Sequence, residues 1–186
     1  MGWMADETGL EKTAANFVPL TPLSHLQRAA KVFPKREAIV DGARRLTYAQ
    51  YHSRVSKLAS ALVARGVQPG DVVATLLPNT LPHVEASFAI PACGAVLNTI
   101  NVRLDVDTVA YIFDHGEAKA VLVDSQFLAL AEAAIDLMQG PAPLIIEVGD
   151  TPAGHPPSGR HPEYEDVVGA GNPDFTWIMP QDEWES

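Results

Sequence analysis

Between Thr47 and Val148 the chain alternates helix-period segments with short apolar runs, and this alternation constrains the fold more than any other feature. Thr47 and Gln50 form a Thr-x-x-Gln capping box, in which each side chain satisfies a backbone N–H at a helix start. Tyr48, Tyr51, Val55, Leu58, Leu62 and Val63 follow at helical spacing, and Gly66 supplies the stop. Pro69-Gly70-Asp71 turns into Val72–Leu77, a continuous apolar run of the kind required by a strand covered on both faces. A second helix is predicted from Thr80 or Leu81 to about Ala92, with Pro91 bending or ending it. Ala95–Ile100 reads as the next strand, and Asp105 or Asp107 caps a helix ending at His115-Gly116. Ala120–Val123 is a short buried strand, Ser125 caps a helix reaching about Gln139, and Leu144–Val148 is a further strand. Strands alternating with helices through four cycles predict an α/β fold, with a mainly parallel sheet covered by helices on both faces.

A smaller unit precedes this one. Pro22–Ala30 is predicted helical, with Leu23 and Leu26 on one side and Ser24 or Thr21 as its cap. Ala38–Val40 and Arg44–Leu46 flank Asp41-Gly42, a dipeptide suited to the positive φ angles of a tight hairpin. Three stretches are therefore expected: a flexible tail over 1–15, an α/β subdomain over 16–150, and an acidic connection over 151–186. In the last, Pro152, Gly154, Pro156, Pro157 and Gly159 predict loop, interrupted by one short helix near Tyr164–Val168. The run from Gly171 to Ser186, with Trp177 and Trp184, reads as a connection. No internal repeat is found.

Charge divides along the same lines. Residues 1–119 carry 12 Lys/Arg against 11 Asp/Glu, and residues 120–186 carry 1 against 12, so the net charge of −10 comes from the last third. Nucleic acid and anionic lipid are not expected partners, because binding phosphates requires clustered cations. The single cysteine, Cys93, has no second thiol for a disulfide or a zinc pattern, which points to a reducing, cytoplasmic compartment. The first twelve residues lack the basic start and apolar core of a secretory signal, and Asp6 breaks the myristoylation pattern. Pro78, Pro82 and Pro91 interrupt the most apolar stretches well short of a membrane span.

Candidate sites follow from the strand–helix pattern. Asn79 and Thr80 lie where a parallel strand ends and a helix begins, the edge at which open α/β sheets bind ligands. The plainer reading is a turn and an N-cap, and it is preferred. Thr99, Asn101 and Arg103 hold the equivalent place after the next strand, where Arg103 pairs with a ligand anion or, more commonly, with a surface carboxylate. His25, His52, His83, His115, His155 and His161 form no HxxxH or HExxH pattern, and His115 suits a helix C-terminus. Cys93 reads as a packed residue, since no neighbouring cation lowers its pKa. Gly66 and Gly70 have the spacing of a phosphate loop but lack the following Lys-Ser/Thr, so they read as a helix stop and a turn.

Four stretches, in order, carry a family resemblance: Asn16–Val40, Arg44–Asn79, Phe88–Asp124 and Pro173–Ser186. Together they resemble the AMP-dependent synthetase and ligase superfamily, in particular its bacterial acyl-CoA synthetases and the plant acyl-activating enzymes. The resemblance implies the N-terminal part of an enzyme that joins a carboxylic acid to ATP as an acyl-adenylate and passes the acyl group to coenzyme A. ATP, Mg²⁺ and CoA are implied for a complete enzyme, with none bound by this chain alone. In the family, the segment similar to Asp182–Ser186 leads to a Thr/Ser/Gly-rich phosphate loop. No such run occurs here, and after Lys119 there is no lysine. The resemblance therefore carries no catalytic, cofactor-binding or metal-binding residue onto this chain. Many relatives have His where this chain has Asn98, which leaves acyl length open and hints at short or medium acyl or aryl acids.

Three functional expectations follow. The first is the front of an acyl-CoA ligase, inactive alone, whose natural partner is the remainder of that ligase in the same chain. The second is half of a split ligase with a separately encoded remainder. The third is a non-catalytic module that holds a small ligand at a sheet edge.

Overall fold

The computed structural model describes residues 9, 13, 15–149 and 155–182. Most of the expected tail, the loop positions Pro152 and Gly154, and Trp184 lie outside the described residues.

The first helix, α1 (Pro22–Val32), begins at Thr21, whose hydroxyl accepts from Leu23 N, while Ser24 turns its own hydroxyl back to the Thr21 carbonyl. The hairpin follows as β1 (Glu37–Asp41) and β2 (Arg44–Thr47), paired antiparallel. Its two turn residues are Gly42 and Ala43, with Gly42 at φ +57°, so Asp41 closes the strand instead of sitting in the turn. In α2 (Tyr48–Ala64) the capping box forms with both of its hydrogen bonds, and Val55, Leu58 and Leu62 have no exposed surface. The stop at Gly66 is a Schellman motif: Gly66 N donates to Val63 O, Val67 N donates to Leu62 O, and Gly66 takes φ +91°.

The main sheet contains β3 (Val72–Leu76), β4 (Val96–Thr99), β5 (Ala118–Asp124) and β6 (Leu144–Val148) in the order β4-β3-β5-β6, all parallel. Helices cover both faces, as the alternation predicts. On one face α1, α2 and α3 (Leu81–Ala92) pack with α6 (Tyr164–Gly169) against Val73, Ala120, Leu122 and Ile146. On the other, α4 (Val106–His115) and α5 (Leu128–Leu137) pack against Ala74, Leu76, Val121 and Val123. Inward residues alternate between the two cores because successive strand side chains point to opposite faces.

Local differences from the sequence expectation have simple causes. β5 starts two residues earlier than predicted, because its pairing with β3 already begins at Val72–Ala118 and carries exposed Lys119 along. At the end of α4 the left-handed residue is Glu117, at φ +49°, and not Gly116. A Cβ on Gly116 would lie 3.0 Å from the Ile112 carbonyl, a tight contact that glycine avoids. Asp105 caps α4 by accepting from Thr108 N, which settles that alternative. Ser125 is not the cap of α5. Asp124 caps a single 3₁₀ turn over Ser125–Phe127 that precedes the helix, which frees the Ser125 hydroxyl for Glu147.

Residues 158–163 pass along the β6 edge, and residues 164–177 lie on the α2–α3 face. Tyr164, Val167, Val168 and Trp177 are buried in that core. A Cβ on Gly171 would overlap the Lys57 carbonyl of α2, so only glycine allows this approach.

Candidate functional site

The connections β3 to β4 and β5 to β6 leave the sheet in opposite directions, which places the topological switch between β3 and β5. At the carboxyl end of β5, Asp124 is almost wholly buried and accepts hydrogen bonds from Gln126 N at 3.0 Å and Gln126 Nε2 at 3.1 Å. Its carboxylate thus serves the turn that follows it.

One strand over, between the carboxyl ends of β3 and β4, lies an open groove of about 490 Å³ lined by Leu77, Pro78, Asn79, His83, Thr99 and Asn101 with Ile100 and Val102. The fold brings Asn79, Thr99 and Asn101 together there, and His83 joins them from the first turn of α3. Arg103 is exposed and is not part of the lining; its N–H donates to Asn101 Oδ1 at 3.0 Å, an Asx turn that occupies the asparagine.

Thr80 stands at the N-cap of α3 but makes no side-chain cap bond. The cap comes from the hairpin: Asp41 Oδ2 accepts from Leu81 N at 3.0 Å and is itself paired with Arg44. A carboxylate 40 residues upstream thus occupies the helix terminus that would otherwise attract an anion. No Lys or Arg lines the groove, and among the described residues no three His, Cys, Asp or Glu stand where they could hold one metal ion. The groove therefore does not fit the triphosphate of ATP or its magnesium ion, and no chemical step is assigned to it.

Two buried polar clusters had no signal in the local sequence. In the first, Glu85 of α3 is fully buried and is bound by Arg54 of α2 through Nε and, at 3.1 Å, through Nη2. Tyr164 donates to Glu85 at 2.6 Å, and Arg54 also reaches Glu165 at 2.7 and 2.9 Å. Burial, and then the charge of Glu85, push the Tyr164 phenol well above its ordinary value. The same two causes raise Tyr51, whose hydroxyl donates to the Val84 carbonyl. In the second cluster Glu147 of β6 accepts from Ser158 N, Ser158 Oγ and Ser125 Oγ at 2.8, 2.6 and 2.8 Å. Burial opposes its ionisation, yet these bonds hold its carboxyl below the usual range. Beside it, His161 and Arg160 both meet Glu132 at 2.9 Å.

The remaining residues marked from sequence are separate from the groove. His52 stacks on Trp177 at 4.7 Å between ring centroids, and burial lowers its pKa. His115 stacks on Tyr111 in the last turn of α4. His25 and His155 are not part of the groove. Cys93 is fully buried, donates to the Ile90 carbonyl, and is pushed by burial up to about 11, consistent with packing and not with nucleophilic work. Gly70 turns at φ +87°, where its N–H meets the Gly94 carbonyl. At the opposite, amino edge of the sheet lies a hollow of about 860 Å³, lined by Leu23, Pro91, Leu97, Ile178 and Met179 among others.

An open parallel sheet with helices on both faces and a groove at its carboxyl edge defines a doubly wound α/β binding fold. Within that class the chain belongs to the AMP-binding enzyme family, whose model matches residues 26–176. It is 40% identical to a peroxisomal acetate/butyrate–CoA ligase of Arabidopsis thaliana, covering 97% of this chain and 34% of the relative. An acetate–CoA ligase of Humulus lupulus is 38% identical over the same shares. An anthranilate–CoA ligase crystallised with anthranoyl-AMP superposes with a TM-score of 0.79 at 21% identity, covering 90% of this chain and 31% of that one, which shows the fold. The chain spans about a third of the length of the curated relatives it matches. No helix among the described residues is long and apolar enough to cross a membrane.

Proposed function

We propose that this chain is the N-terminal α/β scaffold of an acyl-CoA ligase that acts on short carboxylic acids. The observation that carries the reading is the 40% identity to an acetate/butyrate–CoA ligase across 97% of the chain. In the whole enzyme the substrate carboxylate attacks the α-phosphorus of ATP and displaces pyrophosphate. The thiol of CoA then attacks the acyl carbon and displaces AMP. Mg²⁺ accompanies the nucleotide, and the groups that hold both lie in the remainder of the ligase. This chain supplies a parallel sheet and, beside that machinery, a groove whose lining has no Lys or Arg. Its single, buried cysteine suits a reducing compartment, and the cytoplasm is the compartment proposed.

The test is a chimera in which this chain replaces the matching third of the Arabidopsis ligase. Acetate- and butyrate-dependent AMP release in the presence of CoA is expected from the chimera, and no ATP–pyrophosphate exchange from the chain on its own. A folded chimera that adenylates neither acid would overturn the reading.

A further inference from the structure

Counted over residues 1–119, charge is nearly balanced, the ground on which anionic lipid is not an expected partner. Counted locally, it is one-sided. No Asp or Glu occurs between Glu11 and Glu37, and residues 28–36 hold Arg28, Lys31, Lys35 and Arg36 with Val32, Phe33 and Pro34 among them.

The fold gathers these residues at the carboxyl end of α1. Arg28, Lys31 and Val32 share one exposed side of the helix, since positions three and four apart are neighbours on its surface. Phe33 closes the helix with its N–H on the Ala29 carbonyl at 2.8 Å, and Pro34 stops it. The turn that follows is tied down. Arg36 N donates to the Phe33 carbonyl at 3.0 Å, while Tyr48 N and Ala49 N at the start of α2 donate to the Arg36 and Pro34 carbonyls at 3.0 and 3.1 Å. A held backbone thus carries four exposed side chains, Phe33, Pro34, Lys35 and Arg36. The Arg36 guanidinium lies 5.9 Å from the centre of the Phe33 ring, so cation and aromatic occupy one place. Among the described residues, none of the four cations pairs with a carboxylate.

Two observations say what kind of partner suits this surface. Four unpaired cations call for an anionic one. Val32 and Phe33, 53% and 51% exposed among those cations, call for one that also takes apolar side chains. A peptide would need a groove to lie in, and neither the groove nor the hollow is lined by any of these residues. A bilayer needs none, because it receives projecting apolar groups below its headgroups while cations remain at headgroup level.

We propose that the carboxyl end of α1 is an interfacial contact for an anionic lipid bilayer, with Val32 and Phe33 entering the headgroup–acyl boundary and Arg28, Lys31, Lys35 and Arg36 meeting lipid anions around them. The contact belongs to this chain's own surface and stands apart from the activity proposed above.

Co-sedimentation of the chimera with vesicles tests it, with melting and AMP release read on the same preparation. Phosphatidylcholine vesicles containing about 30 mol% phosphatidylserine are expected to carry down at least about 10-fold more protein than phosphatidylcholine alone, and added salt to release it. Lys31→Gln with Lys35→Gln is expected to lower this partitioning at least about 10-fold, and Phe33→Ser, which leaves the charge unchanged, at least about 3-fold. Lys31→Arg with Lys35→Arg retains it, and all three variants keep the melting and AMP release of the chimera. A second chimera on the Humulus ligase repeats the comparison should the first not melt cooperatively. Equal sedimentation with both vesicles, or no loss in the glutamine variant, overturns the proposal. A response to the lysines with none to Phe33 means adsorption without insertion and overturns it as well. Binding of a polyglutamate peptide without binding of vesicles assigns the surface to an acidic protein and likewise overturns it. Lipid binding with these variant effects in a folded chimera that adenylates neither acid supports the contact and overturns only the reading of activity.

Discussion

Single residues far apart in the sequence set much of the geometry at the groove. Asp41, at the end of the hairpin's first strand, caps α3 and pairs with Arg44, tying the hairpin to the sheet through one carboxylate. Asp41→Ala is expected to destabilise the protein by about 1 kcal/mol, the usual cost of losing a helix cap, with urea unfolding as the measurement. Asp41→Asn should recover most of that loss, because an amide oxygen still accepts from Leu81 N. The sequence makes Asp41-Gly42 legible as a hairpin and Thr80 as a cap position. It offers no clue that the hairpin supplies the cap, because that bond depends on how the two units dock. Asn79, Thr99 and Asn101 are legible for the opposite reason: each lies at or just past the carboxyl end of a strand whose apolar run announces it. The turn at Asn101 then explains why Arg103 stands aside from the groove, a local Asx bond that the sequence reading did not weigh.

At the scale of elements, hydrophobic periodicity located the helices and strands because each is buried on a regular face. Most boundaries shifted by one or two residues, for instance where a polar residue rides on a paired strand, as Lys119 does, or where a cap lies one residue earlier, as Asp124 does. Less legible is how α2, α3 and α6 are joined. Arg54, Glu85 and Tyr164 look like ordinary surface residues of amphipathic or loop segments, yet Glu85 is fully buried between them. Glu85→Ala leaves Arg54 and the Tyr164 hydroxyl without their shared acceptor, and a loss of roughly 3–5 kcal/mol is expected in denaturant unfolding. Replacing Glu85 and Arg54 together by apolar residues of similar size should cost less than the single change, since no buried charge is then left unpaired.

For the whole molecule, acid stability depends on the stretch that the sequence presents as an acidic connection. The Glu147 carboxyl titrates below its ordinary value of 4.5 when folded, so its contribution is present above about pH 4.5 and is lost as pH falls through the folded value. Glu147→Gln is expected to cost about 1.5–3 kcal/mol at pH 7, the worth of hydrogen bonds to a charged group. The gap to the parent protein should narrow in urea titrations as pH falls from 4.5 through the folded-state value. An unchanged gap would mean that the serines bind the carboxyl equally well in both protonation states. The same stretch has a consequence for biosynthesis. Tyr164 meets Glu85 across 79 residues, Glu165 meets Arg54 across 111, and Trp177 meets Ser56 across 121. A ribosome that has released the complete four-stranded sheet has therefore not yet delivered the phenol that shares Glu85 with Arg54, and the nascent chain carries this carboxylate on its α2–α3 face without its Tyr164 partner until that tyrosine has emerged.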